Sequence, residues 1–192
     1  MNIEPIQTTE IPEVAALLAR AYHDDVFFHW CVPDASARDK VVTDYYKAYL
    51  QSKGCVSHVA KTATGDIVGA TVWLPHVTEE SLYDEIEEVA GIYAPQFNAV
   101  ADKSHANEPK NQAFYQLVGF GVADSVQGQG VGQALLKYHL DILDKQGIPT
   151  YLEASTPFSG GGVYGKFGYN MYSDVMVFTP EAVLYPLYRE AK

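Results

Sequence analysis

The chain has 192 residues, 47% of them hydrophobic and 12% aromatic, which excludes a disordered or low-complexity polymer and suits one domain with a real core. Lys and Arg total 13 against 24 Asp and Glu, and the net charge of −11 argues against a nucleic-acid or anionic-membrane surface while suiting a cationic substrate or simply solubility. Cys31 and Cys55 lack metal-ligand spacing, the N-terminus resembles no signal peptide, and no apolar run approaches the roughly 20 residues of a membrane span, so a reduced, cytoplasmic protein without metal is expected.

Residues 3–7 alternate weakly and read as a first strand. Thr9 can cap the helix that follows, with Pro12 in its first turn and Val14, Leu17, Leu18 and Ala21 as its buried stripe to about His23. Residues 22–30, YHDDVFFHW, are dense in aromatic, acidic and imidazole groups. A second helix is expected from Asp34 or Ser36 through Leu50, with Tyr45, Tyr46 and Tyr49 on its apolar side and Gly54 just past its end. Residues 56–61 and 67–74 read as strands joined by a turn over 62–66. Residues 77–100 are helical in pattern, with acids including Glu79 and Glu80 crowded early, as on a solvated face near a helix N-terminus. Residues 101–112 are polar, contain Pro109, and are expected to form a mobile loop over the site.

Residues 114–122 carry no charge, as expected of a strand covered on both faces. After a polar break at 123–126, Gln127-Gly128-Gln129-Gly130-Val131-Gly132 leads into a helix over 133–146, ended by Gly147-Ile148-Pro149. A strand over 150–156, a glycine-rich stretch with a short helix over 158–167, a closing hairpin over 169–179 and a tail packed back on the body complete the expected order. No internal repeat and no domain boundary is evident. The order strand, glycine loop, helix brings unpartnered helix amides to a space cleared of side chains, where a diphosphate would sit; the same glycines would also serve to pack a helix closely on a sheet. A P-loop needs Gly-Lys-Ser/Thr where this chain has Gly132-Gln133-Ala134, and Rossmann spacing is missing because Gly128, Gly130 and Gly132 alternate with other residues.

The loop resembles motif A of the GNAT superfamily of acyl-CoA-dependent N-acyltransferases, whose Gln/Arg-x-x-Gly-x-Gly/Ala pattern matches Gln127 to Gly132. Residues 163–169, VYGKFGY, resemble that superfamily's aromatic-Tyr-x-x-x-Gly-Phe closing motif, and residues 151–156, YLEAST, its fifth strand. That wording and the long middle segment are similar to the puromycin-acetyltransferase-like group. The resemblance implies an α/β GNAT fold, a mixed central sheet with splayed parallel strands flanked by helices, and acetyl-CoA in the wedge between those strands. It implies backbone contacts from Gly121, Val122 and Ala123 to the pantetheine arm. Gln127 opens the motif, and the amides of Gly128, Gln129, Gly130, Val131, Gly132 and Gln133 surround the diphosphate. A backbone amide near Val122 would polarise the thioester carbonyl.

Tyr164 aligns with the family's general-acid tyrosine, and a phenol with a pKa of about 10 is protonated at neutral pH and able to protonate a leaving thiolate; the alternative is an aromatic packed under the last strands. Many members carry a glutamate on the central strand, where this chain offers Tyr115 and Gln116. Glu153 is the nearest acid, on one strand face with Tyr151 and Ser155, and is either the base or a buried partner of a backbone or tyrosine group. His23, Asp24, Asp25 and His29 lie where the family's first helices line the acceptor cleft, as alternative bases or as surface and capping groups. Asp24, Asp25, Phe28 and Tyr115 are the expected acceptor contacts. The family's pantetheine-holding asparagine is replaced by PFSGGG at 157–162, where Ser159 offers one hydrogen bond.

These features point to an acetyl-CoA-dependent N-acetyltransferase, monomer or homodimer, in which a small-molecule amine attacks the thioester directly, since no cysteine lies in the motifs to carry the acyl group. A peptide or protein amine is the alternative acceptor. A non-catalytic acyl-CoA sensor or interaction module is the alternative of another class.

Overall fold

A computed structural model of the chain describes residues 1–76 and 82–192. β1 (Asn2–Pro5), β2 (Val56–Lys61), β3 (Ile67–Pro75) and β4 (Tyr115–Val122) form an antiparallel meander, and β5 (Thr150–Ala154) joins it in parallel beside β4. β6 (Asn170–Met171) and β7 (Met176–Val177) are short and pair with opposite ends of β8 (Val183–Arg189), which also runs antiparallel to β5. Across the sheet the order is β1-β2-β3-β4-β5-β8-β6.

On one face α1 (Ile11–Ala21), α2 (Val26–Cys31) and α3 (Ala35–Gln51) enclose a core with Leu17, Leu18, Val42, Tyr46, Val59 and Val72. α4 (Tyr83–Ala90) and α5 (Ala94–Asn107) extend that layer, with Ile86 and Phe97 in the same core. On the other face α6 (Val131–Gln146) buries Leu136 and Leu140 against Trp73, Leu117 and Leu152. α7 (Val163–Lys166) is a single turn beside the end of β5.

Local chemistry explains most of these boundaries. Pro12 stands in the first turn of α1, but Thr8–Glu10 form a 3-10 turn, so Glu10 rather than Thr9 precedes the helix. Asp34 caps α3 as expected, its side chain accepting from the Ser36 amide at 2.8 Å. Gly147 ends α6 in the left-handed region at φ +67°, which a glycine adopts without steric cost. Residues 26–31 form a helix too short for periodicity to reveal.

Two expectations change. Residues 101–107 are the second half of α5 rather than a mobile loop; the segment is polar because one side faces solvent while Ala101 and Ser104 face inward. The tail does not merely pack back: VLYPLYR becomes the inserted strand β8, and the two halves of the expected 169–179 hairpin pair with it instead of with each other. The helix read over 77–100 is interrupted by a 3-10 turn at Gly91–Tyr93, and its first part, with Glu79 and Glu80, lies outside the described residues.

One irregularity positions the site. Val72 lies opposite Gly119 while Trp73 lies opposite Leu117, so Val118 is an extra residue in β4. Below that bulge Tyr115, Gln116 and Leu117 pair with Thr150, Tyr151 and Leu152; beyond it the pairing of β4 with β5 ends. The two parallel strands therefore diverge, leaving an open β4 edge that faces the wedge.

Candidate active site

The open edge has a definite polarity. The Ala123 N–H donates to the Val68 carbonyl at 2.9 Å and is committed to β3. Antiparallel ladders alternate, so Gly121 also turns its backbone groups toward β3, whereas Phe120 and Val122 turn theirs into the wedge. The Phe120 N–H donates to the Tyr22 hydroxyl at 3.3 Å, and the Gln127 side-chain amide donates to the Val122 carbonyl at 3.3 Å. Of the three residues expected along the pantetheine arm, Val122 alone presents its backbone there. Gly121 and Ala123 turn their backbone groups to β3, and Phe120 faces the wedge in their place. Gly121 serves α1 instead, since a Cβ there would lie 2.9 Å from the Ala21 Cβ.

The glycine loop combines left-handed turns, uncapped helix amides and close packing. Gly128 and Gly130 have φ of +74° and +83°, a region costly for other residues, and a Cβ at either would meet nothing. Gly130 is the N-cap of α6 and offers no side-chain cap, so the amides of Val131, Gly132 and Gln133 have no intrahelical acceptor and carry the positive end of the helix dipole. Gly132 is a packing residue: a Cβ there would lie 2.8 Å from the Phe120 ring. An open strand edge leading to uncapped helix amides fits an extended arm that ends in a diphosphate.

From the wedge a cavity of about 750 Å³ runs beneath α4 and α5. Phe120, Glu153, Ser155 and Tyr164 line its sheet end; Tyr22, Phe28, Tyr45, Tyr46 and Tyr49 form an aromatic wall; Ile86, Phe97 and Ser104 close it from above. Glu153 accepts hydrogen bonds from the Ser104 hydroxyl at 2.7 Å and the Tyr151 hydroxyl at 2.9 Å. Burial nevertheless pushes its carboxyl up to about 7, with Glu108 adding repulsion against the two lowering hydrogen bonds. Glu153 is thus a tyrosine's partner and also a carboxyl poised near neutrality.

Tyr164 stands edge-on to Phe120, with ring centroids 6.3 Å apart, and to Tyr169 at 5.9 Å. Burial holds its phenol far above the ordinary range, so it is neutral at any physiological pH. The proposed acid and the proposed proton acceptor line one cavity.

Other expected residues lie elsewhere. Tyr115 packs against His139 on the α6 side, centroids 5.8 Å apart, while its neighbour Gln116 lines the cavity. Alternation along β4 makes that choice. Asp24 is exposed and outside the cavity lining. Asp25 lines the cavity but is engaged in capping α2, accepting from the Phe27 amide at 2.9 Å, and in tying α2 to β5 through the Ser155 hydroxyl at 2.5 Å. Phe28 is buried against Tyr22 and Tyr45 on the cavity wall. His23 and His29 are exposed and bond to Asp39 and to the His23 carbonyl, both at 2.9 Å. Ser159 is exposed in a turn closed by the Gly162 amide on its carbonyl, and it does not line the cavity.

Sequence reading missed Tyr22, Ser104, His76 and Glu108. Glu108 is buried and gathers His105 at 2.8 Å, Lys110 at 3.3 Å and His76 at 3.6 Å. His76 stacks on Phe114 at 4.3 Å, and burial lowers its pKa, opposed by Glu108. A histidine directly after a strand and an acid before Pro109 are weak signals, and only the fold brings them together.

The model of the acetyltransferase (GNAT) family matches residues 25–169. Among curated proteins none matches the sequence significantly. Among solved structures, a histone acetyltransferase HPA2 and related acetyltransferase from Corynebacterium glutamicum superposes with a TM-score of 0.70 at 18% identity, covering 100% of this chain and 96% of the other. Arylalkylamine N-acetyltransferase 2 from Aedes aegypti gives 0.64 at 14% identity, over 97% and 96% of the two chains. The Escherichia coli GNAT N-acetyltransferase YhbS, solved in complex with CoA, gives 0.55 at 16% identity, over 100% and 81%. The family match, the divergent parallel strands and the uncapped glycine loop agree: this chain belongs to the GNAT acetyltransferase family, whose acetyl donor is acetyl-CoA.

Proposed function

We propose that the protein transfers the acetyl group of acetyl-CoA to a primary amine of a small molecule, by direct attack within a ternary complex. The observation that carries the small-molecule reading is the cavity of about 750 Å³ flanked by α4 and α5, where Ser104 on α5 is hydrogen-bonded to Glu153 on β5. A cavity of that size matches a small ligand. A peptide acceptor would call for an open groove instead.

Acetyl-CoA supplies an activated acetyl thioester. Phe120 and Val122 hold the arm on the β4 edge, and the amides of Val131, Gly132 and Gln133 hold the diphosphate. An amine arrives as an ammonium with no lone pair to attack, so Glu153 takes its first proton. Tyr151 and Ser104 fix the carboxylate in place. Tyr164 gives a proton to the leaving sulfur, and the second proton lost by the nitrogen restores the phenol through solvent. Direct attack suits the cysteines: Cys31 is buried and its thiol is pushed far up, and Cys55 is pushed up to about 12, so neither supplies a thiolate.

The test is thiol release from acetyl-CoA across primary alkylamines, arylalkylamines, polyamines, amino-nucleosides and aminoglycosides, with a calorimetric titration of acetyl-CoA alongside. Turnover on members of the panel is expected. Tight binding with no turnover overturns the small-molecule reading in favour of a protein acceptor or a sensor, and absence of binding overturns the assignment of the loop.

A further inference from the structure

Tyr22 occupies an unusual place for a residue at the end of a surface helix. It is the C-cap of α1, yet its hydroxyl reaches the Phe120 amide, one of the two N–H groups that β4 turns into the wedge. Two glycines make this approach possible. Gly121 lets α1 sit against β4, as noted above, and a Cβ at Gly119 would lie 2.9 Å from the Tyr46 ring. Phe120 is thus flanked by two residues small enough to admit α1, which carries Tyr22, on one side and the Tyr46 ring on the other.

The ring of Tyr22 is held on both sides, stacked on Tyr46 with centroids 5.6 Å apart and edge-on to Phe28 at 5.4 Å. The oxygen of Tyr22 accepts from the Phe120 amide, and a phenol has one hydrogen of its own to give. Tyr22 lines the cavity, where that hydrogen can meet a partner. The accepted bond polarises the O–H and makes it a better donor.

Resting on the acetyl-transfer reading, we propose that Tyr22 is a further catalytic residue, whose hydroxyl donates a hydrogen bond to the acetyl carbonyl oxygen beside the Phe120 amide. As the amine nitrogen forms its bond to the carbonyl carbon, the carbonyl π pair moves onto oxygen, and it returns as the carbon–sulfur bond breaks. Tyr22 stabilises that oxygen without giving up its proton. Burial raises the pKa of the phenol, which keeps that proton in place. The Phe120 amide is engaged by the phenol oxygen, so the phenol carries the donor from that strand position to the developing charge.

Tyr22→Phe keeps the ring and removes only the hydroxyl. The first readout needs no turnover: the carbonyl stretch of 13C-labelled acetyl-CoA bound without acceptor, followed by difference infrared spectroscopy. Wild-type protein should shift the stretch to lower frequency than free acetyl-CoA, and Tyr22→Phe should recover part of that shift. The second is kinetic: kcat should fall by about 10²-fold, the scale for loss of one oxyanion donor, while KM for the amine and the acetyl-CoA affinity stay within about twofold. A structural role alone would move stability and KM but not the stretch. An unshifted stretch in wild-type protein, or equal stretch and kcat in the variant, overturns the proposal and leaves Tyr22 as a cap on Phe120. Failure of wild-type turnover on every amine overturns the transferase reading separately, since the stretch still decides whether Tyr22 touches the carbonyl.

Discussion

Replacing Glu153 by Gln separates the proton-accepting role from every other role of the residue. The free carboxyl titrates at about 7. If it takes the proton of a bound ammonium, wild-type log kcat/KM should rise with unit slope below about pH 7 and then level off until the amine itself deprotonates. Glu153→Gln can use only the free amine. For an alkylamine with the pKa of a lysine, about 10.4, the free fraction at pH 7 is roughly 10⁻³, so the variant should lose roughly 10³-fold there and regain tenfold per pH unit toward pH 10. Stability should move the opposite way. The folded carboxyl lies above its ordinary value of 4.5, so ionising it costs stability: nothing below about 4.5, a growing cost between 4.5 and 7, and the full cost above 7. The span is worth about 3 kcal/mol, less whatever Gln loses in its bonds to Ser104 and Tyr151. Stopped-time thiol release between pH 5.5 and 10 and urea melts at pH 4.5 and 8 measure both effects. Identical pH–rate profiles for wild type and variant would refute the base assignment.

Tyr164→Phe should lower kcat by about 10²-fold or more with acetyl-CoA affinity unchanged, by steady-state kinetics and calorimetry. Wild type should show no loss of rate from Tyr164 ionisation up to pH 10, because burial holds that phenol neutral. Gly130→Ala places a side chain at φ +83° and should cost about 1–2 kcal/mol in melts, with weaker acetyl-CoA binding. Gly132→Ala has ordinary φ and should fail differently, by displacing the Phe120 ring 2.8 Å from its Cβ; a crystal structure of the variant would show the ring moved. His139 is 2% exposed, stacks on Trp73 at 4.5 Å, and has both ring nitrogens unpartnered in the described structure. Burial depresses its pKa from 6.5 to about 3, so stability is complete above about pH 6.5 and is lost as pH falls toward 3. His139→Leu should therefore gain stability relative to wild type at pH 4 compared with pH 8 in urea melts.

The strands and long helices were legible because their apolar residues repeat at the spacing of the element, as Val14, Leu17 and Leu18 do in α1. The glycine loop was legible because left-handed backbone and close packing both demand glycine. What sequence could not supply was facing. Tyr115 and Gln116 are adjacent, and the β4 pleat alone decides that one meets His139 and the other the cavity. The bulge at Val118 has no local signature in a run that is apolar throughout, yet it decides that Phe120 rather than Gly121 faces the wedge. The second half of α5 reads as a loop because its outward side is polar, and Ser104 with it. Tyr22 lies in a segment dense in aromatic, acidic and imidazole groups, and its proposed role rests on a contact 98 residues away in the chain.

Phe120 joins these parts. Its amide meets Tyr22 at the wedge, and its ring meets both Tyr164 and the first turn of α6 at Gly132. The helix turn whose amides are proposed to hold the diphosphate and the tyrosine proposed to protonate the leaving sulfur therefore pack on the same ring. Packed interiors transmit small displacements because they have few voids to absorb them. A displacement of the first turn of α6 would press on the Phe120 ring, which faces Tyr164. This gives the alternation of glycine and phenylalanine in residues 119–121 a second consequence beyond admitting α1 and Tyr46. It leaves one large side chain between two small ones, packed against both the first turn of α6 and Tyr164.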